Sequence, residues 1–262
     1  MKFCSLYSGS SGNSIFIAGE QGKILIDAGM PGKYIEASLK EIGEDPRLID
    51  GIFITHEHSD HIKGVGVLSR KYNIPIYATE KTWLEMESKI GNIKDENIKL
   101  FSESNIEIKD IVINRFSTPH DAIDSSGYTV QHKGKKCGVV TDIGHFSYEV
   151  KEAVRDCDVM LLESNHDVEM VKFGPYPYDL KRRILSSVGH LSNEDCGKGI
   201  IDILNGKEKT IFLGHLSNNN NYPDLAYETV KSILLEAKVD LEKEVKLSLA
   251  RREGPSKVIE IY

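Results

Sequence analysis

The sequence has no stretch approaching the roughly 18 consecutive apolar residues of a membrane-spanning helix, so a helical membrane protein is not expected. Cysteine is scarce: Cys4, Cys137, Cys157 and Cys196 are scattered and form no C-x-x-C pair. They suggest neither a disulfide framework nor a cysteine zinc site, and buried free thiols are expected. Basic charge is also short, with 33 Lys and Arg against 40 Asp and Glu and a net charge of -7. That balance argues against the broad basic face of a protein that binds nucleic acid mainly by neutralising phosphates. Repeats, linkers and low-complexity segments are missing; the four asparagines Asn218 to Asn221 are too few to form one. Met1-Lys2-Phe3-Cys4-Ser5 runs straight into a strand pattern without a charged leader and cleavage site, so a cytoplasmic protein is expected. No obligate protein partner is evident. At 262 residues, 40% hydrophobic and 28% charged, the chain reads as one globular domain over residues 1–262.

What is abundant is concentrated in His56-Glu57-His58-Ser59-Asp60-His61, directly after the apolar run Gly51-Ile52-Phe53-Ile54-Thr55. Three imidazoles and a carboxylate at the end of a buried strand would be costly without a partner, and a metal provides one. His56 and His58 are two apart, so in strand geometry they project to one side, whereas Asp60 and His61 open the next helix and can face a second ion. A zincin helix is excluded, because the H-E-x-x-H pattern would need a histidine where Asp60 stands.

Around this loop the chain alternates strands and helices. Lys2 to Ser8, Ser14 to Ala18 and Lys23 to Asp27 read as a β-meander, and Ser8-Gly9-Ser10-Ser11-Gly12-Asn13 between the first two is either an anion-cradling nest or a plain turn. Asp27 either caps local backbone or orients a metal-binding histidine. Helices are expected near Tyr34–Ile42, His61–Tyr72 and Glu80–Ile90, the last carrying Trp83 and Leu84 as core. Strands follow at Ile106–Lys109, Ile111–Phe116, Gly127–His132 and Lys136–Thr141, with His132 an exposed strand end beside the turn Lys133-Gly134. Helices near Tyr148–Arg155, Tyr176–Ser187, Asn193–Leu204 and Pro223–Leu241 alternate with strands ending at Glu163 and Leu213. Ser192 to Asp195 fits a capping box. Val245–Ala250 and Lys257–Ile261 are expected to close the chain as a hairpin.

Five strands end in donors: His56, His120, Asp142, Glu163 with His166, and His215. In layered α/β proteins functional groups collect beyond the strand ends at one sheet edge, so donors spread through the sequence can meet. The pattern His56-x-His58-x-Asp60-His61, His120, Asp142 and His215 resembles the metallo-β-lactamase-fold hydrolases. Ser8 to Asn13, Pro119-His120-Asp121-Ala122, Thr141-Asp142-Ile143-Gly144, Glu163 to Asp167, Tyr176 to Lys181, Gly189 to Asn193 and His215-Leu216-Ser217 resemble its YycJ/WalJ-type branch, related to ribonuclease Z. The resemblance implies an α/β fold, an αββα four-layer sandwich, and a DNA exonuclease acting from 5′ ends. It further implies two divalent ions, zinc or manganese: one held by His56, His58 and His120, the other by Asp60, His61 and His215, with Asp142 bridging and a bridging hydroxide as nucleophile. Such ions lower the pKa of bound water to about 7.

By the same resemblance His190, in Gly189-His190, is the general acid that protonates the leaving oxygen, and Glu163 the carboxylate that positions it. His145 and His166 are expected to have at most a supporting role. Ser11, Asn13, Tyr176, Lys181 and Asn219 are candidate substrate contacts. The bases Lys172, Lys181, Arg182 and Arg183 with Tyr176 and Tyr178 suit phosphates and stacked bases, although Lys-Arg-Arg also reads as a solvated helix face. The link from His120 to Asp142 is too short for a tRNA-clasping arm, and no cap domain fits between Asp142 and His215. The competing reading is a lactone, ester or thioester hydrolase on the same centre; a third, a non-hydrolytic partner or a di-iron redox protein, is disfavoured because a redox site of this fold would be expected to replace His58 with a carboxylate, whereas the hydrolytic set is complete.

Overall fold

A computed structural model describes all of residues 1–262. In chain order the strands are β1 (Lys2–Tyr7), β2 (Ser14–Ala18), β3 (Lys23–Ile26), β4 (Gly51–Phe53), β5 (Ile76–Ala78), β6 (Ile98–Leu100), β7 (Asn105–Ile108), β8 (Ile111–Ser117), β9 (Ser126–His132), β10 (Lys135–Val140), β11 (Val159–Glu163), β12 (Lys209–Gly214), β13 (Val245–Leu249) and β14 (Ile259–Glu260). The helices are α1 (Gly32–Glu41), α2 (Ser59–Ile62), α3 (Val65–Tyr72), α4 (Glu80–Ile90), α5 (Tyr148–Val154), α6 (Val168–Phe173), α7 (Tyr178–Ile184), α8 (Asn193–Asp202) and α9 (Pro223–Glu236).

The strands form two seven-stranded mixed sheets, ordered β14-β1-β2-β3-β4-β5-β6 and β13-β12-β11-β10-β9-β8-β7. Strand alternation dictates the layers. Phe3, Ile15, Ile17, Ile24, Ile26 and Phe53 on one sheet meet Val139, Val159, Leu161 and Phe212 on the other in a central core. The intervening residues point outward. Phe16, Leu25 and Ile52 pack with Ile35, Leu68 and Met86 from the helices on one flank, and Met160, Leu162 and Ile211 pack with Val150, Ile200 and Val230 on the other. Helix, sheet, sheet and helix are therefore the four layers, and the expected αββα sandwich is the observed architecture. Both sheets combine antiparallel pairs with parallel ones reached through helices; the parallel strands β3, β4, β10, β11 and β12 carry most of the donor-bearing turns, and His120 follows the antiparallel β8.

Three expectations are corrected. Val245–Leu249 and Ile259–Glu260 do not pair with each other: the first extends the second sheet beside β12 in parallel, and the second extends the first sheet beside β1. Each covers a strand whose outer backbone groups would otherwise be unpaired, which outweighs pairing within a hairpin. Leu84 is exposed, because the buried arc of α4 runs through Thr82, Trp83, Met86 and Ile90 and leaves it on the far side. His132 is buried: the turn before β8 folds over the strand end, and its Nδ1 lies 2.9 Å from the Asp110 carbonyl. Several helices are also shorter than expected, with α9 ending at Glu236 and α7 confined to Tyr178–Ile184. The Ser192 cap forms, its Oγ accepting from the Asp195 N–H, and all four cysteines are buried free thiols.

Candidate metal centre and active-site cleft

The loop after β4 is held by its neighbours before it holds anything else. The Asp60 carbonyl accepts from the Asn13 N–H at 2.8 Å, and the His61 carbonyl accepts from the Ala28 N–H at 2.9 Å. This docking needs Gly29, where a Cβ would stand 1.7 Å from the Asp60 carbonyl oxygen. Asp27 does both tasks that its position allows: it accepts from the Thr55 N–H at 2.8 Å, and its Oδ2 lies 2.7 Å from His61 Nδ1. Fixing Nδ1 directs His61 Nε2 into the centre, the usual function of a carboxylate behind a ligating histidine.

Around that turn the structure gathers His120, Asp142 and His215 from distant parts of the chain. His56, His58 and His120 form one compact group and Asp60, His61 and His215 another, the candidate ligand atoms within each lying within 4.8 Å of one another. Asp142 stands between them, with Oδ2 3.2 Å from His61 Nε2 and Oδ1 3.6 Å from both His120 Nε2 and His215 Nδ1. The buried atoms His120 Nε2, His215 Nε2 and Asp142 Oδ2 have no hydrogen-bond partner. Buried polar atoms converging without partners are costly in a protein interior and are the expected state of ligands built for a cation. The residues fit divalent metal, and their imidazole and carboxylate chemistry suits zinc and manganese alike.

The electrostatics follow from burial and mutual contact. Burial, reinforced by the neighbouring His61 and outweighing Asp142, drives His56 well below the usual histidine value. For His61 the same burial is outweighed by Asp142, Asp27 and Asp60, which hold it well above that value. Asp142 is correspondingly held well below the ordinary carboxylate range, its burial outweighed by His215 and His61. Backbone conformation is unusual here too: Asp27, Asp142 and His215 have φ of 60°, 57° and 54°, the left-handed region, at the ends of three strands.

Behind this group lies Glu163, fully buried at the end of β11. Its Oε2 accepts from the Ile143 N–H at 2.7 Å and the Leu191 N–H at 3.3 Å. Its Oε1 lies 2.8 Å from both His190 Nδ1 and His215 Nδ1. Burial would raise the Glu163 pKa, but His190 and His215 outweigh it and bring the group to about 2. His190 moves the other way: burial is outweighed by Glu163 and Asp142, and its pKa is raised.

These groups open onto a cleft of about 500 Å³ lined by His58, Asp60, Asp142, His190 and His215 together with Ser10, Asn165, Tyr176, Leu180 and Arg183. Arg183 Nη2 is 3.1 Å from Asp121 Oδ1, beside His120. Of the candidate substrate contacts, Tyr176 lines the cleft and its hydroxyl accepts from Asn219 Nδ2 at 2.7 Å. Ser11 is exposed on the loop next to the lining residue Ser10. Asn13 does not reach the cleft surface: it is fully buried, bonded both ways to Gly9, with Nδ2 3.2 Å from His61 Nε2. It shapes the loop instead. Lys181 is also misplaced by the sequence reading, because its Nζ donates to the Lys172 carbonyl and it lies outside the cleft. Of the bases grouped in the sequence as suited to phosphates, Arg183 rather than Lys181 lines the cleft; the spacing Tyr176, Leu180, Arg183 was the available signal. His145 is anchored to the Ser187 carbonyl at 2.8 Å, and His166 is buried.

Fold and donor arrangement together define a metal-dependent hydrolase of the metallo-β-lactamase type. The chain belongs to the beta-lactamase superfamily domain family, which matches residues 23–212, and within it to the branch of YycJ and WalJ. It is 42% identical over 237 residues to the exodeoxyribonuclease YycJ of Bacillus anthracis, covering 90% of each chain. It is 43% identical over 239 residues to the exodeoxyribonuclease WalJ of Streptococcus pneumoniae, covering 90% of this chain and 89% of that one. The fold is shared with the short form of human tRNase Z, at a TM-score of 0.65 and 17% identity over the full length of both.

Proposed function

We propose that the protein is a metal-dependent DNA exonuclease acting from 5′ ends, with His190 as its general acid. The observation that carries the assignment is the Glu163–His190 pair, 2.8 Å apart, which leaves His190 Nε2 free on the cleft. The names of the 42% and 43% identical relatives supply the substrate class.

In this reading His56, His58 and His120 hold one divalent ion, Asp60, His61 and His215 the other, and Asp142 both. When bound, the ions supply positive charge to the phosphate and an activated water as nucleophile. The chain's own residues do the rest. Glu163 accepts a hydrogen bond from the Nδ1–H of His190, fixes the ring and favours its charged form. His190 then gives the Nε2 proton to the departing 3′ oxygen, and Glu163 stabilises the charge until that proton is given up. Arg183 and Tyr176, on the cleft wall, are placed for a neighbouring phosphate and base. Only three of the thirteen lining residues are hydrophobic, which suits a phosphodiester better than an acyl chain.

The test offers manganese- or zinc-loaded protein 5′-phosphorylated and 5′-hydroxyl duplex DNA, with single strands and RNA alongside. Mononucleotides released progressively from the 5′ end are expected. Hydrolysis of lactones or thioesters with no cleavage of any DNA would overturn the proposal in favour of the ester hydrolase.

A further inference from the structure

Helix α7 is a partition with a recess on each side. Leu180, Arg183 and Ile184 face the catalytic cleft, with Tyr176 just before the helix. Tyr178, Lys181, Arg182 and Leu185 face the other way, where with Lys172 and Ser186 they line a second hollow of about 540 Å³. The two sets have helical spacing and are offset by half a turn, so their residues lie on opposite faces of one helix. The outer hollow is unlike the rest of this acidic chain. Three of its six lining residues are basic and none is acidic. Lys181 and Arg182 form no ion pair, although Lys172 is 3.0 Å from Glu169. The Tyr178 side chain stands 76% exposed among these bases. An exposed ring flanked by unpaired cations is suited to a nucleic-acid strand, through stacking and phosphate contact.

We propose that α7 separates the strands at a DNA duplex end, the scissile strand entering the catalytic cleft while the complementary strand lies in the outer hollow. This rests on the exonuclease reading and specifies its substrate as a duplex end. A helix with its side chains is about 10–12 Å across, close to the major-groove width of about 12 Å, so two strands can pass on either side of it with modest opening. Leu180 and Arg183 face one strand and Lys181 and Arg182 the other, which explains why the bases of one short helix are divided between its two sides.

The test compares wild type with Lys181→Glu/Arg182→Glu and with Tyr178→Ala, all metal-loaded, on a duplex and on a single strand of the same sequence. Tyr178 and Arg182 are exposed and Lys181 half-buried, and a thermal melt verifies that the variants are folded. The expected result is a fall of about tenfold or more in kcat/KM on the duplex for the charge reversal, with under about twofold change on the single strand, since the lost contacts are electrostatic and made to the second strand. In duplex binding, the slope of log K against log salt should also become shallower by about 1.8. Equal loss on both substrates would mean that the scissile strand itself crosses the hollow, and wild-type activity on both that the hollow is mere surface; either overturns the partition while leaving the exonuclease standing. A wild-type protein inert towards all DNA removes both.

Discussion

Asp27 and Glu163 are two fully buried carboxylates in corresponding places, one at the end of a parallel strand in each sheet. Both accept a backbone N–H from the end of a neighbouring strand and both face the Nδ1 of a candidate ligand, His61 or His215. They differ in what else they hold. Asp27 serves one histidine and the Thr55 hydroxyl, and its burial outweighs these partners, so its pKa is raised. Glu163 faces two histidines, and its pKa is brought down to about 2. The same support device therefore fixes a candidate ligand on one side of the centre, while on the other it fixes a candidate ligand and favours the charged form of His190, the proposed acid. The difference lies in one added imidazole, His190.

The contrast can be broken most severely at Glu163. Glu163→Ala should cost about 10⁴-fold in kcat, because it removes the orientation of His190 and the support of His215 together. Metal content and turnover measured on the same preparation check this. His190→Ala should lower kcat about 10³-fold while metal content remains that of wild type; equal activity in that variant would sink the assigned role. Asp27→Asn should weaken metal affinity about 10–100-fold and be rescued by excess metal, a rescue unavailable to His190→Ala. The pH profile gives a finer test. His190 acts as an acid only below its pKa, which is raised by Glu163 and Asp142 against burial, so kcat should fall as pH rises through that value. In Glu163→Gln the fall should begin at lower pH. Thr55→Val, which removes the hydroxyl donated to Asp27 at 2.8 Å, should cost only a few-fold in metal affinity, about 1 kcal/mol, by titration.

Legibility followed the range of the interactions. His56 to His61 could be read directly because the donors share one turn, and the alternation of strands and helices because apolar runs alternate with helical patterns; the αββα order came only with the family resemblance. His120, Asp142 and His215 could be gathered only by supposing that strand ends share a sheet edge. The structure bears out that convergence in space, though which ion each would hold remains part of the proposal. Other features depend on partners far along the chain. His132 is buried by the Asp110 turn, 22 residues earlier. The last two strands part company because two separate sheet edges compete for them. Lys181 and Arg183 are chemically similar and two apart. Only the start and rotation of α7 decide which of them sees the cleft.

Asp27, Asp142 and His215 occupy a backbone conformation that glycine adopts freely and other residues adopt at a cost. Replacing Asp142 or His215 with glycine should ease the local chain while deleting a donor. At these positions selection for a sturdier fold and selection for turnover favour different amino acids, so a library screened for heat resistance alone would drift away from the working enzyme.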